Sequence, residues 1–329
     1  MRSRSVIDRD DFIDSRRSGL GGSDIGAILG LSPYRTPVDV WSEKTGRANG
    51  QEETLQMRFG TYAEAFVARE YTAKTGNAVQ RFTSMLRHAT APVLGNVDRL
   101  VIPRGAKIAS HKTEIRTDLG LECKTANAFA SFNSDDWGDE GTDQIPPSYL
   151  VQCATYMALT GCRAWDLAVL FGNQEVRVYN LKRDNELESE IIARASEWWN
   201  KHIVADVPPE PTCEADIKRL YPSDNGTAVE ANPKTLELIA RAVELKAQIA
   251  ALEAELEGDK KAGSIGVIGS LKAYMGEASR LVLGGDDLIT WKQAKPTMRF
   301  DTKAFQAKHP ELFTEFLKAG DASRRFLIK

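Results

Sequence analysis

The sequence predicts an α/β domain of the order αββαββα, a mixed central sheet flanked by helices, followed by a C-terminal helical hairpin and a small β-rich cap. Three observations predict it. Two pairs of apolar, β-branched runs, at 93–102 with 118–125 and at 164–171 with 175–181, are each followed by a helical pattern. A chain of 329 residues, 42% hydrophobic and 27% charged, is long enough for a large core plus an appendage. The proline cluster in "VADVPPEPTC" marks a change of composition, dividing the chain into 1–204 and 205–329, the latter a candidate for oligomerisation or partner docking.

Taken in order, "GLGGSDIGAILGLSPY" (19–34) places glycines before Ser23-Asp24 and then a short apolar run, the pattern of a helix N-cap region. A helix over Leu55 to Lys74, closed by Gly76, should turn Tyr62, Phe66 and Tyr71 inward and carries Glu64. "VLGNVDRLVI" and "DLGLECKT" read as a strand pair whose long connection contains Pro103 and Gly105. Between 131 and 149, "SFNSDDWGDEGTDQIPPSY" reads as an exposed loop, with Pro147 suited to the first turn of a helix reaching Thr160. On that helix Gln152 and Tyr156 are four residues apart and share a face.

"AWDLAVLF" and "EVRVYNL" turn around Gly172-Asn173, and an amphipathic run from Asn185 to Ile203 packs with Trp198 and Trp199. Beyond the prolines, Pro233 should open a long helix through Glu257, with a partner helix near Ser270 to Ser279. "RLVLGGDDLITWKQ" and the terminal "RRFLIK" read as a small β-rich cap, separated by a helical stretch around Phe305 to Leu317.

A net charge of −3 gives no global pull toward nucleic acid or anionic lipid, so a polyanionic partner must be held locally or through metal ions. Cys123, Cys153, Cys162 and Cys213 form no CxxC pair, which argues against zinc knuckles, iron–sulfur clusters and disulfide scaffolds. The N-terminal residues lack an apolar signal region and no apolar run is long enough to span a bilayer, so the expected location is the cytoplasm of a bacterial host, without membrane contact. His88, His111, His202 and His309 are scattered and read as surface or packing residues, as solvated arginines do at Arg81 and Arg87.

"LGLECKTAN" (119–127) carries the chemistry. Strand alternation puts Glu122 and Lys124 on one face and Leu119, Leu121 and Cys123 on the other. Desolvating an acid and a lysine costs several kcal/mol per ion unless they pair or meet a metal. Asp98, on the preceding β-rich run, is spaced to lie beside Glu122. Two carboxylates in a buried cleft repel, and Mg²⁺ removes that penalty by taking oxygen ligands from both. An isolated D…ExK pattern is more often a structural salt bridge. Here it stands in an ordered set with Glu64 before it and Gln152 and Tyr156 after it, E…D…ExK…QxxxY.

These residues, within "GLGGSDIGAILGLSPYRTPVDVWSEKTG", "FGTYAEAFVAREY", "GNVDRLV", "GLECKTA" and "YLVQCATYMALTG", resemble the PD-(D/E)XK nuclease superfamily. Within it they are similar to the YqaJ-like viral recombination nucleases related to lambda exonuclease, over about residues 15 to 204. The resemblance implies a restriction-endonuclease-like core. It implies Asp98 and Glu122 as main metal ligands, helped by the carbonyl of Cys123 and by Glu64, with Lys124 as catalytic lysine. Gln152 would position the attacking water or phosphate, with Tyr156 supporting it, while Arg17, or Arg16 as alternate, and Ser23 would hold a DNA 5′-phosphate. Asp24 would be structural, since a carboxylate repels phosphate.

The implied activity is Mg²⁺-dependent degradation of duplex DNA from 5′ ends to leave 3′ single strands, with Mn²⁺ as a substitute ion and two ions per site. The implied partners are double-stranded DNA ends, further copies in a homotrimeric ring, and a single-strand annealing protein for phage-type recombination. Two alternatives stand beside it: a restriction-like or repair endonuclease of the same superfamily, and a non-catalytic DNA-end-binding scaffold. The complete Asp98, Glu122 and Lys124 set argues against the scaffold.

Overall fold

A computed structural model describes residues 16–48, 54–128, 136–259, 262–318, 320 and 324–328. The chain divides into one unit ending at Tyr221 and a second beginning at Pro222. Residues 205–221, grouped by composition with the second region, therefore belong with the first. Their helix is fixed there by Asp216, which accepts from the Thr36 hydroxyl, and by Arg219, which pairs with Asp39.

The helices of the first unit are α1 (Gly22–Ile28), α2 (Pro37–Lys44), α3 (Leu55–Thr75), α4 (Pro147–Thr160), α5 (Asn185–Trp198), which continues as a π-helix over Trp199–Val204, and α6 (Glu214–Leu220). Its strands are β1 (Val79–Arg81), β2 (Leu86–Arg87), β3 (Leu94–Gly95), β4 (Arg99–Val101), β5 (Ser110–His111), β6 (Glu114–Ile115), β7 (Leu119–Ala126), β8 (Ala164–Phe171) and β9 (Glu175–Lys182). Five of them form the central sheet in the order β1-β4-β7-β8-β9. Only β7 and β8 run parallel, because α4 lies in the connection between them and carries the chain back to its starting edge; every other pair is antiparallel. The mixed sheet and its flanking helices match the expected fold class.

Alternation along β7 and β8 builds a core on each face. Leu121, Cys123, Ala168 and Leu170 meet Val67, Ala68 and Tyr71 of α3. On the opposite face Trp165, Leu167, Val169 and Phe171 meet residues of α4 and α5, including Ala154, Met157, Ile191 and Ala195. The face that carries Glu122 and Lys124 is thus the α4 face. Gly120, on the same face, has to be glycine: a Cβ there would lie 2.3 Å from the Trp165 ring.

Several expectations are corrected. Helix α3 ends at Gly76 in the left-handed conformation, as expected, but Tyr62 and Phe66 are exposed and only Tyr71 of the three aromatics is buried. The buried stripe is Ala63, Val67, Ala68 and Tyr71; the alanines let the helix axis approach the sheet, which the larger rings at 62 and 66 would prevent. The segment 131–149 is less free than its composition suggests. Residues 131–135 lie outside the described part, but Trp137 packs against Tyr149, Phe171 and Tyr179, and the Gly141 and Asn180 N–H groups bond to the carbonyls of Val178 and Thr142. The segment so covers the edge of β9, whose backbone would otherwise stand open. Trp198 and Trp199 pack against the core as expected.

The second unit contains α7 (Pro233–Glu257), α8 (Gly266–Met275), a β10–β11 hairpin (Arg280–Leu283 with Asp286–Thr290), α9 (Thr302–Lys308) and α10 (Pro310–Glu315). Helix α7 has the expected limits, capped by Asn232, whose side chain accepts the Thr235 N–H. Helix α8 starts and stops four residues earlier than expected, with Gly276 rather than Ser279 ending it. The terminal "RRFLIK" forms no strand among its described residues, 324–328.

Candidate active site

Asp98 and Glu122 come together through strand register. Strand β4 pairs with β7 through Arg99↔Leu121 and Leu100↔Gly120. One step further, that antiparallel register sets Asp98, just ahead of β4, opposite Glu122. The Cys123 N–H donates to Asp98 Oδ2 at 2.9 Å, so β7 itself orients the second acid. The Cys123 thiol faces the α3 side of the sheet, as alternation requires.

Glu122 is buried at 2% exposure, and its two oxygens are treated differently. Oε1 accepts from Lys124 Nζ at 2.7 Å and from Gln152 Nε2 at 2.8 Å. Oε2 is buried with no hydrogen-bond partner in the protein. Gln152 also donates to the Tyr156 hydroxyl at 2.9 Å, the i,i+4 relation expected from the helix. Lys124 Nζ lies 5.6 Å from the centre of the Tyr149 ring, one helical turn before Gln152. Tyr149 is a member of the site that sequence reasoning missed, although its i−3 spacing to Gln152 placed it on the same helix face.

The electrostatics follow from burial and like charge. Desolvation, then the Glu122 carboxylate, push the Asp98 carboxyl well above its ordinary range, against the Cys123 N–H bond and Lys124, which pull it down. Burial disfavours the Lys124 ammonium, but Glu122 and Asp98 outweigh it and raise its pKa, so Lys124 stays charged. Tyr156 is pushed up by burial and by Glu122 and remains a neutral hydroxyl.

Glu64 approaches from α3. Its Oε1 accepts from the Arg99 guanidinium at 2.5 Å, and Arg99 also donates to the Asp98 carbonyl at 2.6 Å. Arg99 thus ties Glu64 to the backbone of Asp98, a link that the sequence does not reveal because the two residues sit on separate elements. Glu64 is close enough for its charge to raise Asp98 further. Among the described residues no cluster of three or more acidic, His or Cys side chains is already gathered as a metal cage. The residues nonetheless fit a hard divalent cation. A buried carboxylate oxygen without a partner, a second, half-buried acid repelled by it and a third within Coulombic reach form an all-oxygen donor set.

The N-terminal part of the site rests on α1. Its N-cap is Gly21, not Ser23; Ser23 is the second helical residue and exposed. Asp24 closes the first turn by accepting the Gly21 N–H at 3.0 Å, and pairs with Lys44 at 2.7 Å and Arg35 at 2.6 Å. Burial raises the Asp24 carboxyl, but the two cations outweigh it and hold it at about 2, so it is the structural carboxylate expected. Lys44 also donates to the Arg16 carbonyl, which places Arg16 and Arg17 beside α1. A Cβ on Gly22 would lie 2.9 Å from Gln152 Cγ and 3.1 Å from its Cα. That glycine brings Ser23 next to the helix that supports Glu122. Among the described residues, neither Arg16 nor Ser23 hydrogen-bonds to the acid pair.

Residues 11–163 match the model of the YqaJ-like viral recombinase domain. Over 345 aligned positions, covering 100% of this chain and 97% of the relative, the chain is 30% identical to the uncharacterized protein YqaJ of Bacillus subtilis. Two solved structures are more distantly similar. The alkaline exonuclease LHK-Exo of Laribacter hongkongensis is 18% identical over 60% of this chain and 93% of that one, with a TM-score of 0.45. A phage-related exonuclease of Haemophilus somnus is 15% identical over 57% and 96% of the two chains, with a TM-score of 0.39. On the match of residues 11–163 and the full-length relative, this chain belongs to the YqaJ-like viral recombinase family.

Proposed function

We propose that the chain is a divalent-metal-dependent deoxyribonuclease that degrades linear duplex DNA from its 5′ ends and leaves 3′ single strands for recombination by annealing. The observation that carries this reading is the pairing of half-buried Asp98 with buried Glu122, whose Oε1 holds Lys124. Two like charges so arranged destabilise the metal-free fold, a cost that is relieved by a cation between them and that clusters at functional sites.

Mg²⁺ would be held by Asp98, Glu122, the Cys123 carbonyl and Glu64, the last after leaving Arg99, and would supply an activated water and charge neutralisation at the phosphodiester. Lys124, charged and anchored by Glu122, places a positive group where negative charge grows on the phosphoryl oxygens as the P–O bond breaks. With Glu122 favouring its ammonium form, Lys124 is suited to stabilise that negative charge and to orient a water by donating to it. Gln152 fixes Glu122 through one oxygen and so leaves the other available. The Tyr149 ring, 5.6 Å from Lys124 Nζ, adds a cation–π contact that helps hold the ammonium in place.

The 5′ polarity rests on the resemblance of the 19–46 segment, where Ser23 with Arg17 or Arg16 would receive the terminal phosphate. The same resemblance supports a ring-shaped homotrimer and a single-strand annealing protein as partner. Incubation of linear and closed-circular duplexes with Mg²⁺, the linear ones carrying or lacking a 5′-phosphate, tests the reading. Loss of linear DNA alone, faster with the phosphate, is the expected result. Cleavage of intact circles would establish an endonuclease instead.

A further inference from the structure

Helix α7 has an apolar edge that the other described residues of its own unit leave open. None of the side chains between Pro233 and Glu257 is buried. Leu238, Ala242, Leu245, Ile249, Leu252 and Leu256 follow one another at alternating spacings of four and three, three heptads of a two-stranded seam. The five large residues of that seam are between 40% and 65% exposed. We propose that α7 is a self-association surface, and that its occupant is α7 of a second copy lying antiparallel to it.

Charge and size both select the second copy and its direction. With Ala242, Ile249 and Leu256 at a positions and Leu238, Leu245 and Leu252 at d, the flanking g positions are Arg241, Gln248 and Glu255, and the e positions include Lys246 and Glu253. A parallel pair would set Arg241 of each helix beside Lys246 of the other, two repulsive contacts. It would also face Ala242 with Ala242, leaving a void in the seam. The antiparallel register that pairs Leu238 with Leu256, Ala242 with Leu252 and Leu245 with Ile249 fills each layer with one larger and one smaller or equal side chain. It sets Arg241 against Glu255 twice and brings a single like pair, Lys246 with Lys246, to the midpoint. Arg241 now bonds Glu244 of its own helix, but both are more than half exposed, and such a pair holds its partners weakly.

The test is the solution mass of the full chain by light scattering or sedimentation, with disulfide trapping to fix direction. Leu245→Glu with Ile249→Glu should halve the wild-type mass whatever the subunit number set elsewhere in the molecule, with the helical circular dichroism retained. Arg241→Glu should weaken association at least tenfold, and adding Glu255→Arg should restore it. In a Cys213→Ser background, which removes the exposed native thiol, Gln248→Cys should cross-link between copies on oxidation. Ala242→Cys should not, because the antiparallel register separates the two 242 positions by about 15 Å along the axis. Cross-linking at 242 would overturn the direction. A wild-type mass that the Leu245 and Ile249 changes leave untouched would overturn the surface.

Discussion

The Cys123 N–H donates to Asp98 Oδ2 at 2.9 Å, so the strand that carries Glu122 also holds the acid facing it. The pair is therefore preformed by backbone geometry, and its repulsion is stored in the metal-free fold.

Asp98→Asn should raise the metal-free melting temperature while abolishing Mg²⁺-dependent cleavage. The amide keeps an oxygen for the Cys123 N–H and removes a charge that burial and Glu122 oppose; changes that relieve such strain commonly add about 0.5–2 kcal/mol. The sign of the pH dependence follows from the raised carboxyl. Its contribution to stability is full below the ordinary carboxylate range and is lost as pH rises through the elevated folded-state pKa. Thermal melts of the wild type should accordingly show a stabilisation by Mg²⁺ that grows with pH above that range and vanishes in Asp98→Asn.

Asp24→Asn should do the opposite. It leaves Lys44 buried without its counter-charge, a change that typically costs about 3–5 kcal/mol. Because Asp24 is held at about 2, below the usual 3.8, its stabilisation is present above 3.8 and lost as pH falls through about 2. Acid unfolding of the wild type should include this step, and that of the variant should lack it.

Gly22→Ala tests whether α1 positions the catalytic helix. The new methyl would meet Gln152 at 2.9 Å and must push it from Glu122, whereas a methyl at Gly26 meets nothing nearer than 3.6 Å. Displacements near 1 Å cost on the order of 10²-fold in rate. Cleavage should fall by about that factor in Gly22→Ala and change little in Gly26→Ala; equal rates for the two would separate α1 from the chemistry.

What could be read from the sequence was what a single element determines. Strand alternation placed Glu122 and Lys124 on one face, and the i,i+4 rule placed Gln152 with Tyr156; both relations are present as hydrogen-bonded contacts. Relations between elements were harder to read. Tyr62 and Phe66 share apolar character with Tyr71, and periodicity cannot tell that Ala63 and Ala68 mark the buried side of α3. The N-cap is Gly21 and not Ser23, and Asp24, third in the helix, reaches back to accept the Gly21 N–H. Arg99 next to Asp98 carried no signal in the sequence, because its partner Glu64 lies on a separate element, α3.

The most direct test of the site is the single-turnover rate of duplex degradation in Mg²⁺ by Glu122→Gln and Lys124→Ala, with DNA binding measured in parallel. Removing a group that holds or neutralises charge only in the transition state costs on the order of 10²–10³-fold per group. Both variants should lose at least that much cleavage while binding DNA ends within a few fold of the wild type. Wild-type rates in either variant would contradict the assignment of Asp98, Glu122 and Lys124 as the hydrolytic centre.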